Sequence, residues 1–147
     1  MSQPPAVSIV HIGICTSDVQ RSIAFYTQAL GFTLTRSIDG LGAPFDTLLE
    51  LPGSTFSAHH LSCGAVTIEL VGYGDTGVVG SKERRPMNQL GFTHMTLMVD
   101  DVGATIERIR QYGGQLHPET KIDSAVGPLC FCTDPDGVRI ELMKKPA

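Results

Sequence analysis

Four residues have the types and settings for metal or proton chemistry: His11, Glu69, His94 and Glu141. Each lies in a strand-like pattern with apolar neighbours, as in Thr67-Ile68-Glu69-Leu70-Val71. A glutamate in such a run is costly to bury unless it is paired or bound to a cation. Two imidazoles and two carboxylates make an N2O2 donor set that leaves two places of an octahedron for water or substrate. Such mixed ligation suits Zn, Ni, Co, Fe or Mn and does not choose among them. Taken singly, a strand glutamate normally faces solvent, and a strand histidine is usually an ordinary half-buried residue. What points to a site is that the pattern occurs twice, in register.

The repeat is visible in two stretches. Ser8 to Asp18 reads SIVHIGICTSD, and Gly91 to Asp101 reads GFTHMTLMVDD, with His11 and His94 in matching places 83 residues apart. At the same offset Val19 meets Val102, Ile23 meets Ile106 and Gly31 meets Gly114. Ile68-Glu69-Leu70 and Ile140-Glu141-Leu142 then close the two copies. If the copies pair about a pseudo-twofold axis, both histidines and both glutamates can converge on it. His59-His60 could compete as ligands, but neighbours on a strand face opposite sides, so at most one could join. The pair is read as loop surface.

The elements that must position these residues follow from periodicity. Val7 to Thr16 alternates and is rich in β-branched residues, as a strand is. Ser17 or Asp18 can cap the following helix, whose apolar stripe is Val19, Ile23, Tyr26 and Leu30, and Gly31 ends it. Phe32 to Ile38 is a strand, and Asp39 to Pro44 a flexible loop or lid. Strand-like segments follow at Asp46 to Leu51, around Phe56 to Leu61, and at Val66 to Tyr73. In the second copy Phe92 to Val99 is a strand, with Asp100 or Asp101 as cap. Val102, Ile106 and Ile109 form the helical stripe, and a strand begins at Gln115 to His117. Two more strands, Leu129 to Thr133 and Val138 to Met143, flank the turn Asp134-Pro135-Asp136-Gly137. Each copy is β-α-β-β-β. The expected organisation is a single domain over residues 1–147, with module 1 at 7–73, a Gly-rich linker at 74–89 and module 2 at 90–145.

Composition excludes several classes of function. Hydrophobic residues are 41% and charged residues 18%, an ordinary globular balance. The net charge of -4 gives no nucleic-acid footprint. No apolar run approaches the length needed to span a bilayer, and the first ten residues lack a signal-peptide pattern. The expectation is a soluble cytoplasmic protein with a small-molecule substrate and no nucleic-acid or membrane partner. The four cysteines form no CxxC pair. Cys130 and Cys132 point to one strand face as small buried fillers, and two thiols without a second pair are a weak metal signal.

The residues HIGICTSDVQRSIAFYTQALGF, IELVGY, GFTHMTLMVDDV and DPDGVRIELM resemble the vicinal oxygen chelate superfamily. That group includes glyoxalase I, methylmalonyl-CoA epimerase, extradiol dioxygenases and the fosfomycin and bleomycin resistance proteins. The resemblance covers nearly the whole chain. It implies an α+β fold of paired βαβββ modules, whose eight strands form a curved, open barrel around one divalent metal ion. It further implies that His11, Glu69, His94 and Glu141 are the four ligands of a bacterial-type glyoxalase I. At two places where glyoxalase I commonly carries an arginine and an asparagine for glutathione, this chain has Cys15 and Tyr73. The implied activity is a metal-dependent lyase or isomerase working through an enediolate on a substrate with vicinal oxygens. Glu141 is the first choice for the base and Glu69 the alternative. A ring-cleaving extradiol-type dioxygenase and a non-catalytic, antibiotic-binding protein are the other readings of the same resemblance. Exposed strand edges and an apolar face would invite a second chain, and the resemblance also points to a homodimer. The four ligands could come from one chain or from two. Arg84 and Arg85 in the linker could hold an anionic group, though exposed linker charges are usually just solvated.

Overall fold

The computed structural model describes residues 6–74 and 76–146. Its first half contains β1 (Ile12–Thr16), α1 (Val19–Ala24), β2 (Thr33–Leu41), the short α2 (Phe45–Leu48), β3 (Phe56–Cys63) and β4 (Val66–Tyr73). The second half contains β5 (Met95–Val99), α3 (Val102–Gln111), β6 (Gln115–Ser124), β7 (Gly127–Thr133) and β8 (Arg139–Lys144). The strands build two four-stranded sheets of identical plan, β1-β4-β3-β2 and β5-β8-β7-β6. In each, the first strand runs parallel to the last and the other pairs are antiparallel. This is an α+β fold of paired βαβββ modules with open sheets.

Local chemistry explains the elements. Asp18 and Asp101 are the caps: their carboxylates accept from Arg21 N at 3.0 Å and Ala104 N at 2.9 Å, satisfying amides that the first turn leaves free. The expected stripe on α3 is buried at Ile106 and Ile109. Helix α1 is continued by a π-helical turn, Phe25–Ala29, which turns Phe25 and Tyr26 fully into the core. Alternation puts Ile68 and Leu70 of β4, and Ile140 and Leu142 of β8, on the inner face of each sheet. With Leu61, Ile109, Cys130 and Cys132 they form one core shared by both halves.

The halves are tied together at their ends. Tyr26 donates to Asp134 at 3.0 Å. Asp136, in the β7–β8 turn, accepts from Thr16 Oγ1 at 2.8 Å, from Ser17 N at 2.8 Å and from Arg21 at 3.1 Å. Gly114 admits this packing, because a Cβ there would meet Phe25 Cε2 at 2.7 Å.

Several expectations are corrected. Residues 46–51 hold no strand: the apolar run is the end of α2 and a turn, a short run that periodicity cannot assign. Asp39, Gly40 and Leu41 extend β2 rather than a lid. Val7 to Val10 stands outside β1 and is exposed, because its alternation has no paired strand to bury it. Among the described residues no helix is long and apolar enough to cross a membrane.

Candidate metal centre

Glu69 lies on β4 between Ile68 and Leu70, so when those two face the core it faces away. Glu141 stands in the same relation to Ile140 and Leu142 on β8. Both histidines sit one residue before a first strand, at the mouth of β1 and of β5 rather than inside them. The parallel pairing brings each to its glutamate. In β1 and β4, Gly13 is level with Glu69, and His11 Nε2 lies 3.3 Å from Glu69 Oε2. In β5 and β8, Thr96 is level with Glu141, and His94 Nε2 lies 3.4 Å from Glu141 Oε2.

The chain therefore sorts the four expected residues into two pairs, each on the sheet face turned away from the common core. Among the described residues, the one group of three ligating side chains whose atoms all lie within 4.8 Å of one another is His11, His60 and Glu69. His60 was not counted among the ligands from sequence. It and His59 lie in β3, not in a surface loop. His59 turns into the protein, 3% exposed, with Nδ1 3.0 Å from Ser37 Oγ. His60 turns the other way, level with Glu69, and its Nε2 is 3.3 Å from Glu69 Oε1. The signal that could have found it is the tight β3–β4 hairpin. With Cys63 opposite Val66, the count back along both strands sets His60 against Glu69.

The two pairs have different surroundings. Thr96 donates to Glu141 Oε2 at 2.7 Å. Phe131, level with Glu141 on β7, meets the His94 ring edge-to-face at 5.2 Å and carries the Arg139 guanidinium over its own face. Opposite Glu69 there is no hydroxyl, since Gly13 stands where Thr96 does. Instead the His11 and His60 rings lie 5.3 Å apart. Close to Glu69, burial and then the nearby Cys15 and Glu69 push the Tyr73 phenol up.

The donor chemistry fits a divalent cation. Each carboxylate faces an imidazole nitrogen at little more than 3 Å, a spacing that a cation between them can use. The Cys132 thiol does not compete: burial, followed by Cys130, raises it to about 12, so it stays protonated. The linker guanidiniums are engaged. Arg84 is ion-paired with Glu119, and Arg85 donates to the Phe92 carbonyl. A cleft of about 340 Å³ lies beside Thr16, Phe56 and Tyr73, and another of about 660 Å³ beside Lys82, Arg84 and His117. Neither is lined by any of the four expected residues.

The family model described as the Glyoxalase/Bleomycin resistance protein/Dioxygenase superfamily matches residues 8–142. A lactoylglutathione lyase of Salmonella typhimurium is 33% identical over 137 residues, spanning 92% of this chain and 91% of that one. A lactoylglutathione lyase of Escherichia coli O157:H7 is 29% identical over 144 residues, spanning 93% and 92%. The crystal structure of a glyoxalase family protein from Bacillus cereus superposes with a TM-score of 0.86 over 100% of this chain and 99% of that one, at 18% identity. That identity speaks for the fold alone.

Proposed function

Because the chain belongs to the glyoxalase/bleomycin resistance protein/dioxygenase superfamily, we propose that it is a metal-dependent, glyoxalase-like lyase or isomerase. Its substrate is a small molecule with two vicinal oxygens. The observation that carries this reading is the His–Glu pair occurring twice, at the mouth of β1 with β4 and again at the mouth of β5 with β8. It is supported by relatives named for lyase activity along almost the full chain.

His11, Glu69, His94 and Glu141 would hold one divalent ion per site, of the Zn, Ni, Co, Fe or Mn group. When bound, the ion supplies Lewis-acid stabilisation to charge developing on the two substrate oxygens. The chain's own part is to orient the substrate and move the proton. Glu141 is the base: it takes a proton from one carbon and returns it to the neighbouring carbon, the substrate passing through an enediolate. Thr96, donating to Oε2, holds that carboxylate in one orientation and leaves Oε1 for the transfer. Glu69 is the alternative base.

The active form is a homodimer in which one protomer brings His11 and Glu69 and its partner brings His94 and Glu141. Two features support this. The ligand-bearing faces point away from the chain's own core. The segments leading into the histidines also expose apolar side chains, with Val7 90%, Ile9 85%, Leu90 96% and Phe92 82% exposed. Two carboxylates brought together this way need a cation between them. The four unpaired cysteines fit a reducing cytoplasm.

The test is direct. Protein reconstituted separately with Ni, Co, Zn, Mn or Fe is given methylglyoxal and glutathione, and lactoylglutathione thioester is followed by its ultraviolet absorbance. Thioester formation that depends on the metal is expected. No turnover with any of the five metals, on this or other 2-oxoaldehyde adducts, would remove the lyase reading.

A further inference from the structure

We propose that the first half of the chain carries a cation site of its own, a two-histidine, one-carboxylate triad of His11, His60 and Glu69. This triad takes up a divalent metal whether or not His94 and Glu141 are in reach. The inference rests on the reading of His11 and Glu69 as cation ligands, and it adds His60 as a further ligand from this chain.

The geometry is that of a triad on one face. Two donors at right angles about one ion, each about 2.1 Å away, stand about 3.0 Å apart. Glu69 Oε2 to His11 Nε2 and Glu69 Oε1 to His60 Nε2 are each 3.3 Å. Small rotations of the carboxylate would close the difference. Backbone pairing fixes the positions: His60 and Glu69 are level across the β3–β4 hairpin, and Gly13, two residues after His11 and so on the same strand face, is level with Glu69 on the other side. The ring of His60 presents the correct atom. Its Nδ1 is buried without a hydrogen-bond partner, so Nε2 is the nitrogen that reaches the open face. The three side chains range from 17% to 37% exposed, so the cluster is partly open to water or substrate. Imidazole and carboxylate together suit Zn, Ni, Co or Fe.

The second half supplies an internal control. Phe131 occupies in that sheet the place His60 occupies here, level with the glutamate of the last strand. A phenyl ring donates no lone pair. Among the described residues only the first half therefore brings three such donors together, and the metal belongs to it before any second chain arrives.

The experiment is Co(II) titration of the full-length protein by calorimetry and visible absorption, on the parent, on the double variant H94A/E141A, and on that variant carrying H60F. The double variant is expected to keep one Co(II) per chain. Adding H60F is expected to weaken Co(II) binding by more than about a hundredfold, beyond what loss of a merely supporting contact costs. His60→Asn in the same background is a second variant that keeps a polar side chain, and thermal unfolding checks that each protein is folded. Failure of the double variant to bind Co(II), or a folded H60F or H60N protein that binds as well as its background, overturns the proposal. If the parent binds Co(II) and the double variant does not, the four-ligand reading stands and this one falls. If the parent binds none, both fall.

Discussion

The two halves share one backbone plan and differ at the side chains around their glutamates. Both place a histidine before the first strand and a glutamate on the last, joined by parallel pairing. Around Glu69 the neighbours are His11 and His60, with Gly13 beside it. Around Glu141 they are His94, the Thr96 hydroxyl and the Phe131 ring under Arg139. A carboxylate between two imidazoles is equipped to hold an ion. A carboxylate held by one hydroxyl against an aromatic wall is equipped to stay oriented while one oxygen works. The repeat keeps where the groups stand, and two differences within it, His60 against Phe131 and Gly13 against Thr96, would divide their labour on the proposed reading.

The largest expected effect breaks that division at its centre. Glu141→Gln keeps an oxygen that can coordinate but removes the base. Turnover should fall by about 10²–10⁴-fold, the range for loss of a general base, while metal content falls little. Glu69→Gln removes the charge from the carboxylate that stands between two imidazoles, so it should lower metal content more than Glu141→Gln does and turnover per bound metal less. Elemental analysis beside steady-state rates decides, and a Glu141→Gln enzyme at the parent rate would transfer the role to Glu69. Next, His94→Ala should lower turnover sharply while elemental analysis still finds bound metal and the circular dichroism spectrum is unchanged, because the lost ligand lies at an exposed strand mouth and the first-half triad keeps the ion.

A smaller effect sharpens the comparison. Thr96→Val removes a hydrogen bond to a charged group, worth about 1.5–3 kcal/mol. It should lower kcat by about ten- to a hundredfold with KM little changed. Gly13→Thr has open space for its Cβ and should leave kcat within a few fold. Equal losses in the two variants would show that the hydroxyl has no special part.

The smallest effect concerns the tie between the halves. Burial pushes the Asp136 carboxyl up, but hydrogen bonds from Ser17 and Thr16, with Lys82 nearby, outweigh it and hold Asp136 below its ordinary value. A lowered carboxylate stabilises the fold above its unfolded value, about 3.8–3.9, and that contribution is lost as pH falls through the folded value. Asp136→Asn should therefore cost about 1–3 kcal/mol at pH 7. The gap to the parent should narrow below about pH 4, as read from urea midpoints at both pH values. A gap independent of pH would mean that Asp136 acts by shape alone.

Much of this was legible in the sequence. The alternation of Thr67-Ile68-Glu69-Leu70 fixed which side of β4 faces the core, and so fixed the glutamate's side. The Asp caps, the stripe on α3 and the Asp134-Pro135-Asp136-Gly137 turn were equally local, and local signals survive without tertiary information. His60 was not read as a ligand, because two adjacent histidines are told apart only by hairpin register. Residues 46–51 misled because a short apolar run has no period to read. The sorting of the ligands into two pairs could not be read at all. It depends on how Phe25, Tyr26 and Asp136 pack one half on the other, contacts that span more than a hundred residues in the case of Tyr26 with Asp134.

That sorting has a consequence for how the protein would behave in a mixture. If each chain begins one centre and finishes another, two crippled versions can repair each other. A version damaged at His11 and Glu69 and one damaged at His94 and Glu141 would each be silent alone. After random exchange of subunits, half of the assemblies are hybrids, and each hybrid carries one sound centre beside one doubly damaged centre. About a quarter of the parental turnover should return from two inactive parents.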